Sequence, residues 1–511
     1  MFLSHGVALP VKRGVLSVAL LCAVVGGGAL AAAERAPLEL DLKTAIELTL
    51  VTNRDIESAY LGRVTDEYGL RVAEDQFRPD LTINADRSTG RSGDPLNRVD
   101  IDSTTMNPTL SLLVPTGGRV SFTWANRRDA SSAGATQYRS GLDLSFVQPL
   151  LSGGGVSVTR APLRIARINE RSNVLGLKAT INSTITQVIT AYRNLLLQER
   201  RFEIVERSLA RAKTLLETNR AMIEAGRMAR QDIVQTEADV SQRELDFVAA
   251  QNTLDSARLA LLDILDIDPE TRFRLTDTLR LEDIGDLEFE SAYALALANR
   301  PSYLQALLQT EVADINLRLA KNRRLWRLDA NVTASLAGDS DAGYRSAFRD
   351  LEDDPGNYRA GLQLTVPFGD LSLKQGVINA RVAQRRQALS LEELREAVRI
   401  DIQDQVRSIK NLREQVDLAE RAAELAAQQL DIEKLKLAQG RSTNFQVLNL
   451  EDQLISAQIS EVSAEVNYLN ALTRLDEALG TTMDTWGVPF EVRRYAPEAV
   501  LRDRADWETR R

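Results

Sequence analysis

The sequence predicts an α+β chain in which two internal repeats each combine short strands with a very long helical hairpin. The main observation is a duplicated order of patterns: a helix start, alternating strands, and a long helical run broken by a glycine. The break falls at Gly226 in the first copy and at Gly440 in the second. A duplicated unit that cannot bury its own faces completes itself against neighbouring units. We therefore expect an elongated architecture rather than several globular domains.

These patterns divide the chain into five segments. Corresponding positions in the two copies include Ala45 and Ala292, and Asp80 and Asp329. Each repeat is predicted to run from a helix through strands to a hairpin, with its tip near 226 or 440. The segments are a signal peptide at 1–33, a first repeat at 34–265, a linker at 266–289, a second repeat at 290–480 and a tail at 481–511.

The N-terminus has the pattern of a secretory signal peptide. Lys12 and Arg13 precede an apolar run at 15–33, which ends in Ala-x-Ala. A retained membrane anchor is the less favoured alternative. The only cysteine, Cys22, and the only histidine, His5, both lie in this segment. A processed chain would therefore lack the commonest metal ligands and the usual neutral-pH base, so we predict no enzyme, no metal and no cofactor.

Two long stretches have helical composition. Residues 158–224 and 375–439 contain almost no proline or glycine, and a helix of about 65 residues is about 100 Å long. Each is followed by a second predicted helix, at about 229–263 and 443–478. Apolar residues in the second stretch recur in steps of three and four, as in a coiled-coil seam. Taken alone, this pattern also fits a free-standing coiled coil.

Four segments alternate apolar and polar residues strictly: 78–88, 142–150, 327–335 and 362–370. Such alternation gives a strand one apolar and one polar face, as in a transmembrane barrel; a two-faced soluble sheet is the alternative. Four strands cannot close a barrel, since even small barrels have about eight. We therefore expect several chains to share one barrel, and three chains would supply about 12 strands. The net charge of −9 argues against a nucleic-acid partner.

Between the first two of these strands lies a long segment, 88–140, that is rich in glycine, serine and aspartate. It contains a further alternating pair, 109–115 and 119–127, joined by Thr116-Gly117-Gly118. This pair is either an external hairpin, which we favour, or two extra barrel strands. The corresponding segment of the second copy, 336–358, is short and acidic, and we expect it to be an exposed loop.

Together these elements resemble the TolC-type outer-membrane efflux proteins over about 38–490. The residues that carry the resemblance are the helix starts AIELTLVTNRDI and AYALALANRPSY, the turns FVQPLLSGGG and TVPFGDLS, and the tips AGRMARQDIVQTEADV and QGRSTNFQVLNLEDQL. The resemblance implies a homotrimeric outer-membrane β-barrel, with about four strands per chain, continued by a periplasmic α-helical coiled-coil barrel. It places the linker and the tail in an equatorial belt around the helices.

The function implied is that of an exit duct in a tripartite efflux pump or type I secretion system, working with a periplasmic adaptor and an inner-membrane pump in contact with outer-membrane lipid. The resemblance does not distinguish drug, metal and protein cargo. A periplasmic coiled-coil scaffold or adaptor without a pore is the alternative.

The resemblance also identifies residues at the hairpin tips. Family members carry two aspartates one turn apart at the second tip, where this chain has Gln446 and Asn449. Because amides do not carry the charge of an acidic ring, we expect weaker cation selectivity. Asp232 matches a family position that helps to hold neighbouring hairpins closed, but the tyrosine that partners it in some members is replaced by Leu437.

Two glycines and two arginines complete the predicted tips. Gly226 and Gly440 are interpreted as helix terminators. Arg227 and Arg441 each follow a tip glycine. Each arginine is either a charge favourable to a helix C-terminus or a contact for the adaptor.

Overall fold

The computed structural model describes residues 38–92, 98–226, 229–281, 285 and 288–490. The predicted signal peptide lies outside them, as do residues 491–511 of the predicted tail. The strands are β1 (Leu38–Leu40), β2 (Asp80–Ser92), β3 (Val99–Leu113), β4 (Arg119–Ser131), β5 (Gln137–Pro149), β6 (Phe273–Leu275), β7 (Arg327–Ser340) and β8 (Asn357–Thr365).

The helices include two that are exceptionally long, with 64 residues in α4 and 68 in α9. Short 3-10 turns span Arg230–Asp232 and Asp350–Glu352. The helices are α1 (Leu42–Thr52), α2 (Arg54–Asp75), α3 (Val156–Thr159), α4 (Ala161–Glu224), α5 (Ile233–Leu265), α6 (Phe289–Asn299), α7 (Pro301–Arg323), α8 (Tyr344–Arg349), α9 (Leu371–Ala438), α10 (Asn444–Leu479) and α11 (Thr482–Thr485).

Six strands form one antiparallel sheet in the order β2-β3-β4-β5-β7-β8. The sheet therefore has more strands than the about four per chain that were predicted for the barrel. The alternating pair at 109–127 lies within this sheet, where β3 pairs with β2 along its length and β4 pairs with β5, and its place outside or inside a barrel stays a prediction. These strands join the sheet because their alternating side chains match those of their neighbours. Thr109 and Thr123 share a hydrogen bond of 3.0 Å, and Ser121 and Ser145 share one of 2.6 Å.

The acidic segment 336–358 is more ordered than the exposed loop that the sequence predicts. Strand β7 continues to Ser340, and the short helix α8 then packs back on β5 and β7. Ala347 of α8 is fully buried. The phenyl ring of Phe348 makes an edge-to-face contact with Trp124 at a centroid distance of 5.8 Å. The predicted loop is thus replaced by a small cap at one end of the sheet.

The long helices form two hairpins, α4 with α5 and α9 with α10. At 1.5 Å per residue, α4 and α9 are each about 100 Å long, as predicted. The predicted seam on α9 is buried against α10. Its buried members are Ile402, Val406, Ile409, Val416, Ala423 and Leu430. This spacing, close to 3.5 residues, keeps one stripe facing the partner helix.

The main apolar core lies around the first hairpin, at the end nearer the chain's N-terminal elements. There β1 pairs in parallel with β6, and α1 packs against α4 and α5. Tyr192 of α4 is 1% exposed, and its hydroxyl lies 2.9 Å from the Leu40 carbonyl oxygen and 3.0 Å from Asp277 Oδ2. A second core joins α6, α9 and α10. The same order of helix, strands and hairpin occurs in both halves, while the segment boundaries given above stay a prediction.

Candidate functional site at the hairpin tips

The two tip glycines end their helices as predicted. Gly226 follows α4 with a φ of 70°, and Gly440 follows α9 with a φ of 71°. Glycine adopts this left-handed conformation without the steric cost that a Cβ would impose. At the second tip the Gly440 N–H donates to the Leu437 carbonyl at 2.9 Å, and the Arg441 N–H donates to the Lys436 carbonyl at 2.9 Å. The turn of the second tip therefore uses the last carbonyls of α9 as hydrogen-bond acceptors.

The start of α10 presents the two predicted constriction residues. Thr443 caps the helix, and its Oγ1 accepts from the Gln446 N–H at 3.4 Å. Gln446 and Asn449 are both exposed and lie one helical turn apart. The Asn449 side-chain oxygen accepts from Gln453 Nε2 at 3.2 Å. The second tip therefore carries two exposed, uncharged amides near the positive end of a helix dipole.

The structure describes the arginines and the aspartate of the tips to different extents. Arg227 lies outside the described residues. Asp232 ends the 3-10 turn before α5, and its side chain also lies outside what the structure describes. Arg441 is exposed beside the turn of the second hairpin. The roles of all three therefore stay predictions.

Apolar packing holds the second tip together. Val447 is 1% exposed and Leu448 is 8% exposed. Val447 belongs to a small cluster with Leu430 and Leu454, and Leu437 packs against it. By contrast, Val234 of the first tip is 65% exposed and is not part of such a cluster within one chain.

Two groups of ion pairs join the hairpins close to the tips, and neither was predicted from the sequence. In the first, the buried carboxylate of Glu451 on α10 lies 2.8 Å from Arg211 Nε on α4 and 2.9 Å from Lys434 Nζ on α9. One carboxylate therefore holds cations from both hairpins. The only sequence feature that could have indicated this link is a glutamate, Glu451, on the buried side of α10, three residues after Leu448.

In the second group, the guanidinium of Arg243 on α5 bonds to the carboxylate of Asp452 on α10, and lies 3.2 Å from Asp239 on its own helix. Arg243 is 7% exposed. Burial raises the pKa of Asp239 against the opposing attraction of Arg243. Separating the hairpins would leave the buried guanidinium of Arg243 without its Asp452 partner, so this link opposes their separation.

A cavity of about 440 Å³ lies between the hairpins beside these ion pairs. Its wall is mostly apolar and includes a few charged side chains. Its lining includes Leu215, Met222, Leu437, Val447, Arg243 and Glu451. Across the part of the chain that the structure describes, no group of three or more histidine, cysteine, aspartate or glutamate side chains is placed to hold a metal ion.

Among the described residues, no helix is long and apolar enough to cross a membrane.

The sheet differs from the helical hairpins because its apolar face is exposed within one chain. Its apolar positions, among them Leu81, Leu144 and Leu362, are 65%, 49% and 72% exposed. They lie on one face, while the opposite face carries serine, threonine and aspartate. This sheet, continued by hairpins of about 100 Å that end in narrow tips, defines the class of outer-membrane export channels.

The chain belongs to the outer membrane efflux protein family, whose model matches residues 45–265 and 292–481. The resemblance seen in the sequence is thereby confirmed, and the protein is an outer-membrane protein. The outer membrane efflux protein BepC of Brucella suis is 26% identical over 380 residues, which are 71% of this chain and 77% of BepC. The alkaline protease secretion protein AprF of Pseudomonas aeruginosa is 24% identical over 348 residues, covering 65% of this chain and 68% of AprF.

The fold is also similar to solved structures. The crystal structure of the Campylobacter jejuni CmeC outer membrane channel matches with a TM-score of 0.65 at 16% identity, over 90% of this chain and 89% of CmeC.

Proposed function

We propose that this protein is the outer-membrane exit duct of a tripartite exporter, passing substrates from a periplasmic adaptor and an inner-membrane pump to the exterior. The observation that carries the proposal is the union, in one chain, of a sheet with an exposed apolar face and two hairpins about 100 Å long that are linked at their tips. Such a chain supplies a wall, a gate and a docking surface. None of these requires a catalytic residue.

The unpaired edges of one chain support assembly with further copies, and the family resemblance implies that there are three. Strands β2 and β8 form the two edges of the sheet. Inside a bilayer each unpaired backbone group costs several kcal/mol, so strands span membranes only as closed barrels. The sheet therefore needs further copies to close.

The helices also present apolar stripes that have no partner within the chain. On α9, Leu418, Leu425 and Ile432 are 56%, 50% and 53% exposed and follow each other at intervals of seven residues. This is the spacing of a coiled-coil seam. The α9 stripe supports side-by-side packing of hairpins from neighbouring copies into a helical barrel that continues the β-barrel across the periplasm.

The linked tips support a gate at the periplasmic end. Arg243 and Glu451 each hold a partner from the other hairpin, so opening must separate charges that are paired at rest. Arg441 lies next to the turn of the second hairpin, where an adaptor would approach, and in the sequence Arg227 follows Gly226 as Arg441 follows Gly440. The names of the relatives include both efflux and protease secretion, and both kinds of cargo are compatible with this duct.

The proposal is tested by fractionation followed by reconstitution. We expect the chain to stay in the outer membrane through salt and carbonate washes, to enter detergent as a trimer, and to form channels in planar bilayers. Light scattering measures the mass of the detergent-solubilised particle. Release by carbonate, with no channel activity, would instead support a periplasmic scaffold or adaptor without a pore, which the apolar sheet face and the family match disfavour.

A further inference from the structure

Strands β3 and β4 place polar residues on one face of the sheet and apolar residues on the other, in register with the other four strands. One row across the sheet is entirely polar, a neighbouring row is entirely non-polar or aromatic, and the next is polar again. The first row is Asp80, Ser111, Ser121, Ser145, Thr333 and Arg359. The second row is Leu81, Leu110, Phe122, Leu144, Ala334 and Tyr358. The third row is Thr82, Thr109, Thr123, Asp143, Ser335 and Asn357.

The apolar residues of β3 and β4 are as exposed as those of β5. Leu110 is 43% exposed, Phe122 42% and Leu144 49%. In a hairpin that extended into water, exposed leucine and phenylalanine side chains would be unfavourable. Such a hairpin would therefore not be expected to repeat the apolar row of its neighbours in register. The pair therefore belongs to the same wall as β2 and β5.

The β3–β4 hairpin also spans the full height of that wall. Its turn lies at the helical end of the sheet, where the Thr116 carbonyl accepts from the Gly155 N–H at 2.9 Å and from Gln148 Nε2 at 3.1 Å. Gly117 has a φ of 97°, and a Cβ there would lie 2.7 Å from the Gly153 carbonyl oxygen. The turn is thus seated on the loop that leads from β5 into α4.

We propose that all six strands of each chain enter the barrel, so that three copies close an 18-stranded wall by pairing β8 of one chain with β2 of the next. The proposal rests on the trimer of the proposed function. All neighbouring strands in the sheet are antiparallel, so β8 runs opposite to β2, and edge-to-edge pairing of copies continues the same pattern. Six strands per chain in three chains give 18.

The added strands widen the exit and leave the gate unchanged. Barrel diameter grows roughly linearly with strand number, so 18 strands give a wall about 1.5 times as wide as 12 strands. The hairpin tips lie at the other end of the long helices, and the extra pair adds nothing there. The membrane part of this duct is therefore the wide section, and selection of cargo by size occurs at the periplasmic tips.

Substitutions on the two faces of β4 test whether the pair lies in the membrane wall. We expect Phe122→Arg to remove the trimer from the outer-membrane fraction as completely as Leu144→Arg on β5, because both place a charge against lipid. Thr123→Arg, on the polar face, should be retained. Recovery of the Phe122→Arg trimer alongside loss of Leu144→Arg would place the hairpin outside the membrane and overturn the proposal.

Single cysteines provide a readout that does not depend on loss of folding. We expect a membrane-impermeant maleimide to label Thr123→Cys in the purified, reconstituted trimer and to leave Phe122→Cys unlabelled. Equal labelling of both would show that the hairpin is surrounded by water. Cys22 is the only native cysteine, so Cys22→Ser provides a background without thiols.

Direct counting of strands by cryo-electron microscopy of the detergent-solubilised protein separates this proposal from the proposed function. A trimer with 18 strands supports both. A trimer with 12 strands overturns the wider wall and leaves the duct intact, whereas particles without a barrel overturn the duct as well.

Discussion

The guanidinium of Arg243 on α5 and the carboxylate of Asp452 on α10 form an ion pair that joins the first hairpin to the second close to their tips. Arg243 is buried, while the Asp452 side chain is 62% exposed. The pair therefore has one end anchored in the packing of the hairpins and the other near solvent.

We expect Arg243→Ala to open the tips and raise channel conductance. Hydrogen bonds to charged groups contribute about 1.5–3 kcal/mol, and the change also leaves Asp239 and Asp452 without this partner. Single-channel recording in planar bilayers measures the effect. The matched control is Arg220→Ala, since Arg220 pairs with Glu237 inside the first hairpin, at 3.2 Å with both side chains about half exposed. Equal conductance of the wild type and Arg243→Ala would contradict a gating role.

Introducing two carboxylates at the second tip should make the channel more cation-selective. In a trimer, Gln446→Asp with Asn449→Asp adds six carboxylates around a narrow opening, which attract cations and repel anions. The first substitution also suits the start of α10, where an acidic residue is favourable. Reversal potentials in a salt gradient, and block by multivalent cations, should both report the change.

The control for these carboxylates is Gln187→Asp, which adds negative charge at an exposed position of α4 far from the tips. It should leave selectivity close to that of the wild type. If the tip variant and the wild type show the same reversal potential and the same block, Gln446 and Asn449 do not line the constriction.

A partly buried acidic group in the second hairpin predicts a pH-dependent stability. Burial, followed by the nearby carboxylates of Glu461 and Glu420, raises the pKa of Glu465. A carboxyl group with a raised pKa in the folded state lowers stability while it is ionised, and this cost disappears as the pH falls through that pKa. We expect Glu465→Gln to raise Tm at neutral pH by about 1–2 °C, with the gain shrinking in acid.

Thermal unfolding of the detergent-solubilised protein across a pH series checks this expectation. Glu392→Gln, at an exposed position of α9, is the matched control and should have little effect. A gain for Glu465→Gln that grew as the pH fell would have the wrong sign and would contradict the argument.

Two glycines should respond in opposite directions to alanine. Gly480 ends α10 with a φ of 76°, and a Cβ there would lie 2.6 Å from the Asn299 carbonyl oxygen. Gly480→Ala should therefore cost at least about 2 kcal/mol in the free energy of unfolding. Gly376 lies within α9 with open space around its Cα, so Gly376→Ala should stabilise the chain by about 0.5–1 kcal/mol.

Denaturant unfolding of the two variants under the same conditions measures both effects. A neutral Gly480→Ala would mean that the junction of α10 with the α6–α7 turn is looser than the structure shows.

Much of the architecture could be predicted from the sequence because it depends on local patterns. The long helices follow from stretches almost without glycine or proline, and the tips follow from Gly226 and Gly440. The strand pair β3–β4 was recognised as alternating, but its partners in the sheet were not predicted, because alternation identifies a strand without identifying its neighbours. At the tips, the exposed amides Gln446 and Asn449 were predicted, whereas the ion pairs of Arg243 and Glu451 were not.

By itself, the sequence determined the helix lengths, the apolar faces and the family, since each is encoded in periodicity or residue order over short distances. Only the tertiary structure decided that six strands share one sheet and that Arg243 meets Asp452, 209 residues further along the chain. Contacts between distant residues depend on how complete elements pack. Many arginines and carboxylates occupy similar helical positions, and only the three-dimensional arrangement of the hairpins selects which of them meet.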